Sequence, residues 1–349
     1  MGLDTPEAVD PGFHVFWPCS NHHYSMKIFI TGGSGFIGTN LVEELLSREF
    51  EVENFDLNPP DNPDHTRYWQ RGDLLDAPGL ARAMSDFAPE VVIHMAARAD
   101  CDENTTVEEG YRANTDGARH VLEAVKACPS VKRAIIVSSQ YVAGPDRLPQ
   151  GDEDYFPHTI YGQSKVITEQ LTRSSGLECC WTLIRPTNVW GPWHWRYAQE
   201  FWRIAAKGLY FHPGGAPVRR CYAYVGNVVW QMLRVLELPE ETVNGQTFYV
   251  GDEVDDIYGW ASGFCVALCG RPAPKIPRPF LKLIALAGDI ITAVQGKQFY
   301  LTSSRYRSMT SDYPTPMEKT FEVIGKGPFS LQEGIDETVK WLRTQKGWK

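Results

Sequence analysis

The sequence predicts an α/β fold, with a doubly wound parallel sheet followed by a smaller C-terminal substrate-binding lobe. Three observations support this. Over the first half of the chain, short apolar segments alternate with helical segments of about 10–15 residues. A glycine-rich turn joins the first apolar segment to the first helical one. After residue 185 the alternation stops, and the chain becomes rich in tryptophan, tyrosine, proline and glycine.

The elements of the first half follow from their apolar patterns. Buried parallel strands are predicted at 27–31, 51–56, 91–95, 131–138 and 180–185. Helices are predicted at 36–48, 78–87, 111–127 and 161–174. Strands and helices in this order form right-handed βαβ units. We therefore expect one domain over residues 26–185.

The second half has a different character. Helical spacing is found at 225–238, 257–269, 280–294 and 331–343, with one short strand at 247–250. Because it has so few strands, we expect residues 186–349 to form no parallel sheet of their own. They should pack as a lobe, partly interleaved with the first domain, against the C-terminal strand ends, where such folds bind ligands. Residues 1–25 lack periodicity and an apolar segment of signal-peptide length, so we expect a disordered extension.

Composition excludes several classes of protein. The 349 residues carry a net charge of -9, which argues against a broad nucleic-acid-binding surface. No stretch of about 18 uncharged apolar residues predicts a transmembrane helix, so we expect no membrane partner. None of the eight cysteines lies in a Cys-x-x-Cys pair, so we expect no metal site. Their low density suits a reducing cytoplasm.

The glycine-rich turn at 31–38 predicts a dinucleotide site of Rossmann type. It follows a strand and opens a helix. Gly32 permits a tight turn, Gly35 lets a pyrophosphate approach the backbone, and Gly38 lets the helix pack close to the strand. The helix N-terminus supplies free N–H groups and the positive end of a dipole.

Asp56 is the candidate that selects the cofactor. It ends the second predicted strand, where its carboxylate can accept hydrogen bonds from both adenosine ribose hydroxyls. No Arg or Lys occurs at 56–59 to accept a 2′-phosphate, so NAD is favoured over NADP. Alternatively, Asp56 is an ordinary solvated aspartate of a turn and binds no ligand. Asp73 is a weaker candidate, for the adenine amino group.

Tyr161 and Lys165 form the candidate catalytic pair. Residues four apart share one helix face. An ammonium beside a phenol lowers the phenol's pKa, so the tyrosine can act as acid or base. Alternatively, Tyr161 and Lys165 simply belong to a solvent-exposed helix face and have no catalytic role. Ser138 and Ser139 end the preceding strand, where a hydroxyl can hold the substrate.

Together these motifs resemble the extended short-chain dehydrogenase/reductases, the NAD-dependent epimerase/dehydratase group. The matching segments are 31–38, 94–97, 114–117, 138–144, 161–165 and 185–192. The resemblance implies that Tyr161 is the acid/base, that Lys165 tunes it and binds the nicotinamide ribose, and that Ser139 orients the substrate hydroxyl. It implies that Asn114 fixes the active-site helix and a proton-relay water. The implied NAD contacts are Gly32, Gly35, Phe36, Ile37, Gly38, Asp56, Asp73, Leu74, Ala96, Ala97, Tyr161 and Lys165.

The resemblance also implies substrate contacts. Residues 218–225 resemble the stretch where nucleotide-sugar members place an arginine on the diphosphate, and Arg220 aligns best. Asn188 falls where members contact the nucleotide or sugar. Arg305 and Arg307 are further phosphate candidates, with surface positions as the alternative. For Trp190, Trp193, Trp195 and Trp202 we expect mainly core packing.

Two enzymatic hypotheses follow. We favour a nucleotide-sugar epimerase resembling UDP-glucose 4-epimerase, working through a 4-keto intermediate. The alternative is an NAD-linked alcohol dehydrogenase or ketone reductase, because 276–287, 329–334 and 338–342 resemble the 3β-hydroxysteroid dehydrogenase branch. Gln140 and Tyr141 replace the Asp-Glu pair of sugar dehydratases, which disfavours dehydration. A non-catalytic NAD sensor is disfavoured, because it would not need Ser139, Tyr161 and Lys165 together.

The resemblance further implies a homodimer. The helices that begin near 111 and 161 would form a four-helix interface. Val166, Ile167 and Leu171 offer part of an apolar face, although the same face could cover the protein's own sheet.

Overall fold

The computed structural model describes residues 25–295, 299–345 and 348. The predicted extension over 1–25 lies outside these residues, apart from Ser25. The strands are β1 (Lys27–Thr31), β2 (Glu51–Asp56), β3 (Trp69–Arg71), β4 (Val91–His94), β5 (Arg133–Val137), β6 (Cys180–Pro186), β7 (Asn188–Trp190), β8 (His212–Pro213), β9 (Arg219–Tyr224), β10 (Gln246–Val250), β11 (Val254–Asp256) and β12 (Lys275–Ile276).

The helices alternate with the strands in the first half and dominate the second. They are α1 (Phe36–Ser47), α2 (Ala77–Phe87), α3 (Val107–Gly110), α4 (Arg112–Ala127), α5 (Ile160–Ser174), α6 (Trp195–Tyr197), α7 (Arg203–Ala206), α8 (Val225–Glu237), α9 (Glu240–Val243), α10 (Ile257–Cys269), α11 (Arg278–Gln295), α12 (Ser303–Thr310), α13 (Glu318–Val323) and α14 (Leu331–Thr344). Short 3-10 segments occur at Pro63–Tyr68 and Gln140–Val142, and a π-helical turn at Ala198–Trp202.

The predicted doubly wound parallel sheet is confirmed. Its strands run β10-β6-β5-β4-β1-β2-β3, and every neighbouring pair is parallel. The chain order reverses at β1, which creates the crevice where open α/β sheets bind ligands. Strand β3 has no counterpart among the predicted strands, because three residues are too few to leave a pattern.

Both faces of the sheet are covered by helices. Ile28 and Ile30 of β1 belong to a core cluster shared with α1 and α8, whereas Phe29 belongs to one shared with α2 and α4. Successive side chains of a strand point to opposite faces. The continuous apolar strands are therefore explained by burial on both sides.

The second half differs from its prediction. The expectation that it forms no parallel sheet of its own is wrong, because β7 pairs in parallel with β9, and β12 with β8. These strands are two to six residues long, too short for a clear sequence pattern. Strand β10 leaves this half and completes the main sheet beside β6. The division at residue 185 stays a prediction.

A buried ion pair joins α5 to the sheet. Arg185 on β6 donates from Nε to Glu169 Oε1 at 2.8 Å and from Nη2 to Glu169 Oε2 at 2.7 Å. Its third guanidinium nitrogen, Nη1, donates to the Tyr249 hydroxyl on β10 at 3.1 Å. Both charged side chains are almost completely inaccessible. Bidentate geometry with further hydrogen bonds offsets the desolvation cost of such a pair.

Replacing Arg185 with Met should lower the free energy of unfolding by about 3 kcal/mol, because the buried Glu169 loses its bidentate partner and keeps only the Tyr155 hydroxyl at 3.0 Å and Arg173 at 4.0 Å. Urea unfolding followed by circular dichroism measures this change. Arg112→Met is the matched control, since the Arg112–Asp116 pair lies at the surface of α4 and should contribute less than about 1 kcal/mol. Equal losses for the two variants would contradict this assignment.

Candidate active site

The glycine turn after β1 is packed too closely to accept side chains at two of its glycines. Gly32 has a φ of +82°, and a Cβ there would lie 2.5 Å from the backbone nitrogen of Ala96. A Cβ on Gly38 would collide with the carbonyl of Gly32. Helix α1 therefore starts directly against the strand, as the motif requires.

The N-terminus of α1 is suited to an anion. Gly35 is the N-cap residue and supplies no side chain to cap the helix, and the first turn contains no acidic residue. Phe36 and Ile37 begin the helix and are half-buried. Uncapped N–H groups and the dipole of α1 thus fit the pyrophosphate of a dinucleotide.

Asp56 is held at the end of β2 by backbone amides. Its Oδ2 accepts from the Ser34 N–H at 3.1 Å, and its Oδ1 accepts from the Asn58 N–H at 3.0 Å. Burial raises the pKa of Asp56, and these hydrogen bonds oppose the rise. Asn54 accepts from the Gly33 N–H at 2.9 Å and so fixes the adjoining turn. This geometry places the carboxylate beside the glycine turn, where the adenosine ribose would lie.

The other proposed cofactor residues lie along the same edge of the sheet. Asp73 is exposed, and its Oδ1 accepts from the Leu75 N–H at 2.9 Å, so a turn accounts for it without a ligand. Leu74 is buried. Ala96 and Ala97 follow β4 directly, with Ala96 against the glycine turn. The adenine contact of Asp73 stays a prediction.

The start of α5 positions the two candidate catalytic residues. Thr159 caps the helix, its hydroxyl accepting from the Gly162 N–H at 2.9 Å. Tyr161 and Lys165 lie one turn apart and are both buried. Lys165 Nζ donates to the Val137 carbonyl at 2.9 Å, which ties α5 to the end of β5. Burial lowers the pKa of Lys165 to about 8.

The electrostatics of Tyr161 differ from the sequence prediction. Burial raises the pKa of the phenol above its ordinary value, and a hydrogen bond with Ser139 opposes the rise. Lys165 is not among the groups that shift this pKa, and its ammonium donates to the Val137 carbonyl. Desolvation is the larger effect in this buried site.

Asn114 on α4 makes four hydrogen bonds, two to the Arg98 backbone after β4 and two to α5. Its Oδ1 accepts from the Arg98 N–H at 2.8 Å, and its Nδ2 donates to the Arg98 carbonyl at 3.0 Å and to Ser164 Oγ at 2.9 Å. The Thr168 hydroxyl donates to the Asn114 carbonyl at 2.7 Å. These contacts suit the positioning role that the resemblance implies, whereas the water relay stays a prediction.

A cavity of about 350 Å³ lies beside this edge, in the second half of the chain. Its lining is mainly aromatic and cationic: Tyr141, Asn188, His194, Arg196, Tyr197, Glu200, Phe201, Tyr210, Arg220, Tyr222, Ile257, Trp260, Ala261, Tyr300, Thr302, Ser304, Arg305, Ser308 and Met309. The Tyr141 ring meets the Tyr161 ring edge-on, with centroids 6.0 Å apart. The cavity wall therefore contacts the candidate catalytic tyrosine.

The predicted substrate residues are only partly brought together. Asn188 and Arg220 both line the cavity, and Arg220 Nε donates to the Ser311 carbonyl at 2.9 Å. Arg305 also lines it and pairs with Glu200. Arg307 is exposed and absent from the lining.

The four tryptophans considered for stacking are also absent from the lining. Trp190 and Trp202 are fully buried in the core, and Trp193 and Trp195 pack on Trp341.

Several lining residues were not among the sequence candidates. Arg196, Glu200, Tyr222 and Tyr300 come from α6, a π-helical turn, β9 and the loop before α12. They share no motif, and only the tertiary fold brings them together. The aromatic composition after residue 185 was the one available signal.

The comparisons with known proteins settle the family. The model of the NAD dependent epimerase/dehydratase family matches residues 28–251. The chain belongs to this family. It is an enzyme, and its cofactor is NAD, which fits the uncapped α1 terminus and the placement of Asp56. The predicted membership of the extended short-chain dehydrogenase/reductases is confirmed.

Individual relatives fall into two groups. A 3-beta-hydroxysteroid dehydrogenase of Mycolicibacterium neoaurum is 28% identical over 269 residues, 72% of each chain. N-acetyl-alpha-D-glucosaminyl-diphospho-ditrans,octacis-undecaprenol 4-epimerase of Escherichia coli O157:H7 is 24% identical over 333 residues, 90% of this chain and 95% of that protein. The structure of UDP-glucose 4-epimerase from Thermotoga maritima superposes with a TM-score of 0.70 at 23% identity, covering 91% of this chain and 99% of that one.

Tyr161→Phe should reduce turnover about 100-fold or more, because a general acid/base contributes on that scale. NAD binding, followed by protein fluorescence, should persist. Tyr306→Phe on α12 is the matched control, since this tyrosine does not line the cavity and should be replaceable. Full activity in Tyr161→Phe would refute the catalytic assignment.

Proposed function

We propose that the protein is an NAD-dependent epimerase of a nucleotide sugar, acting at carbon 4 in the manner of UDP-glucose 4-epimerase. The charge of the cavity beside Tyr161 is the observation that supports this most strongly. Three guanidinium groups, on Arg196, Arg220 and Arg305, line it together with one carboxylate, Glu200.

The cavity suits a diphosphate. Its lining carries three positive charges and one negative charge, because burial lowers the pKa of His194 to about 4 and keeps that ring neutral. The excess of two positive charges complements the two negative charges of a diphosphate. Guanidinium forks match phosphate oxygens in geometry. The surrounding aromatic rings offer faces on which a base or sugar can stack.

In the proposed mechanism Tyr161 removes the proton from the sugar hydroxyl at carbon 4 and later returns it. NAD, when bound, supplies reversible hydride acceptance at the same carbon. Ser139 orients the hydroxyl, and Lys165 provides a positive charge one turn from the phenol. Inversion then requires the keto sugar to rotate before it is reduced on its other face. The open volume beside Tyr141 offers room for that rotation.

The second candidate is an NAD-linked dehydrogenase of an apolar alcohol. The curated relatives that are 3β-hydroxysteroid dehydrogenases favour it, as does the aromatic lining of the cavity. The guanidinium groups argue against it, because a hydrocarbon substrate would leave three of them desolvated with the single carboxylate of Glu200 to share. Dehydration is disfavoured because Gln140 occupies a position at which sugar dehydratases carry a carboxylate. Its side chain is buried, and its amide oxygen accepts a hydrogen bond from the Thr315 hydroxyl.

A homodimer in the cytoplasm remains part of the proposal. Two of the residues offered for its interface contribute to the protein's own core. Ile167 packs in a cluster with Tyr111 and Tyr161, and Leu171 packs in the cluster of α2 and α4. The interface would therefore use mainly the polar outer surfaces of α4 and α5. Sedimentation at micromolar concentration measures the oligomeric state.

The two enzymatic candidates differ in their use of NAD. The protein is incubated with NAD and a panel of UDP-, GDP- and TDP-sugars, and both the anomeric proton signals and the absorbance of NADH are followed. An epimerase gives a stereoisomer without net NADH. A keto product with stoichiometric NADH would overturn the proposal in favour of the dehydrogenase.

Arg220→Met should raise the KM for the nucleotide sugar about tenfold or more and leave kcat largely unchanged, because a charge-assisted phosphate contact is lost. Arg307→Met is the matched control, since Arg307 is exposed and outside the cavity lining. The NAD affinity of both variants verifies their fold. An unchanged KM in Arg220→Met would contradict the assignment of Arg220 to the substrate diphosphate.

A further inference from the structure

Helix α11 presents an apolar face to solvent. Phe280 is 63% exposed, Leu283 64%, Ile290 66% and Val294 80%. At 3.6 residues per turn these four side chains share one face, and Ile284 and Leu286 widen it. Isolated exposed apolar residues are ordinary in proteins, but a contiguous face of this length marks an interaction site.

The opposite face of α11 is fully used within the protein. Leu281 and Ala285 form a small core with Leu301, against which Tyr306 and Met309 of α12 pack. The outward face is therefore not needed to hold the helix in place. It projects from a helix that is already anchored.

Positive charges lie along the chain just before α11 and within its first turns. Residues 271–294 contain four cations, Arg271, Lys275, Arg278 and Lys282, and one acid, Asp289, so that 4 − 1 gives a local charge of +3 in a chain whose net charge is -9. Asp289 is engaged, since its Oδ1 accepts from the Ser303 N–H at 3.0 Å. A second copy bound through the same face would bring these like charges together across a two-fold axis. An anionic lipid surface complements both the charge and the apolar side chains.

The exposed apolar surface continues beside the start of α11. Strand β12 lies just before the helix and pairs with β8. Leu209 and Phe211, which come just before β8, are exposed. Arg271 Nη2 donates to the Gly208 carbonyl at 2.9 Å and so holds this loop against the same region. Large apolar and cationic side chains together are typical of helices that lie in a membrane interface.

We propose that the outer face of α11, with Phe280, Leu283, Ile290 and Val294, docks the protein on an anionic lipid bilayer. The helix would lie in the interface and not span it, and no helix in the described residues is long and apolar enough to cross a bilayer. The expectation of no membrane partner rested on the lack of a spanning segment, so it does not cover this mode of binding. Helix α12, on which α11 packs, contributes Arg305 and Met309 to the cavity wall. The docked protein would thus hold its substrate cavity next to the membrane surface. This proposal is independent of the substrate, because membrane binding needs no turnover.

Flotation with vesicles tests the proposal on the full chain. We expect binding to vesicles of phosphatidylcholine with phosphatidylglycerol and weaker binding to phosphatidylcholine alone. Ile290→Glu should weaken binding at least about 10-fold, and Leu283→Glu with Ile290→Glu at least about 100-fold, since buried apolar area is lost and like charge is added. Lys282→Glu should weaken binding to the anionic vesicles about 10-fold.

Leu148→Glu is the matched control, because Leu148 is 52% exposed but lies far along the chain from α11. It should bind vesicles like the unaltered protein. Unchanged thermal unfolding in the presence of NAD verifies the fold of every variant. Flotation that Ile290→Glu leaves unaltered would overturn the assignment to α11. Absence of flotation would overturn the lipid proposal. This holds if the protein stays monomeric, and also if it self-associates through a contact that Ile290→Glu abolishes.

Discussion

The hydrogen bonds that hold α5 against α4 and the sheet determine the geometry of the active site. Asn114 donates a hydrogen bond to Ser164 between α4 and α5, and Lys165 donates one to the Val137 carbonyl at the end of β5. Removing one partner would leave a buried polar group unsatisfied, so the network tolerates little displacement. Tyr161 is one turn from these contacts and inherits its position from them. The Arg185–Glu169 pair then fixes the next turn of the same helix to β6.

Two regions of this acidic protein carry a local excess of positive charge. The chain is acidic overall, yet the substrate cavity and the region around α11 each carry more positive than negative side chains. Both regions belong to the second half, which builds a wall of short elements beside the carboxyl edge of the sheet. In the proposed function the sheet and α5 would supply the cofactor site and the acid/base, and the second half would supply selectivity for an anion.

Local patterns were enough to predict the sheet and the motif residues. Six of the seven strands of the main sheet, all except β3, lie close to the predicted ranges, because burial on both faces gives continuous apolar segments. The glycine turn, Asp56 and Tyr161 were found because their spacing along the chain is fixed by the turn and the helix. The cavity wall was not predictable, since Arg196 and Tyr300 meet only through tertiary packing. The pKa of Tyr161 also depends on burial, which no local pattern records.

The central claim is that Tyr161 exchanges one proton while hydride leaves and returns at the same carbon within one turnover. A nucleotide sugar that carries deuterium at carbon 4, incubated with the protein and NAD in ordinary water, tests this directly. The account predicts a stereoisomer that retains the deuterium at carbon 4. Deuterium recovered in reduced NAD together with a keto sugar, or lost to solvent during inversion, would contradict it.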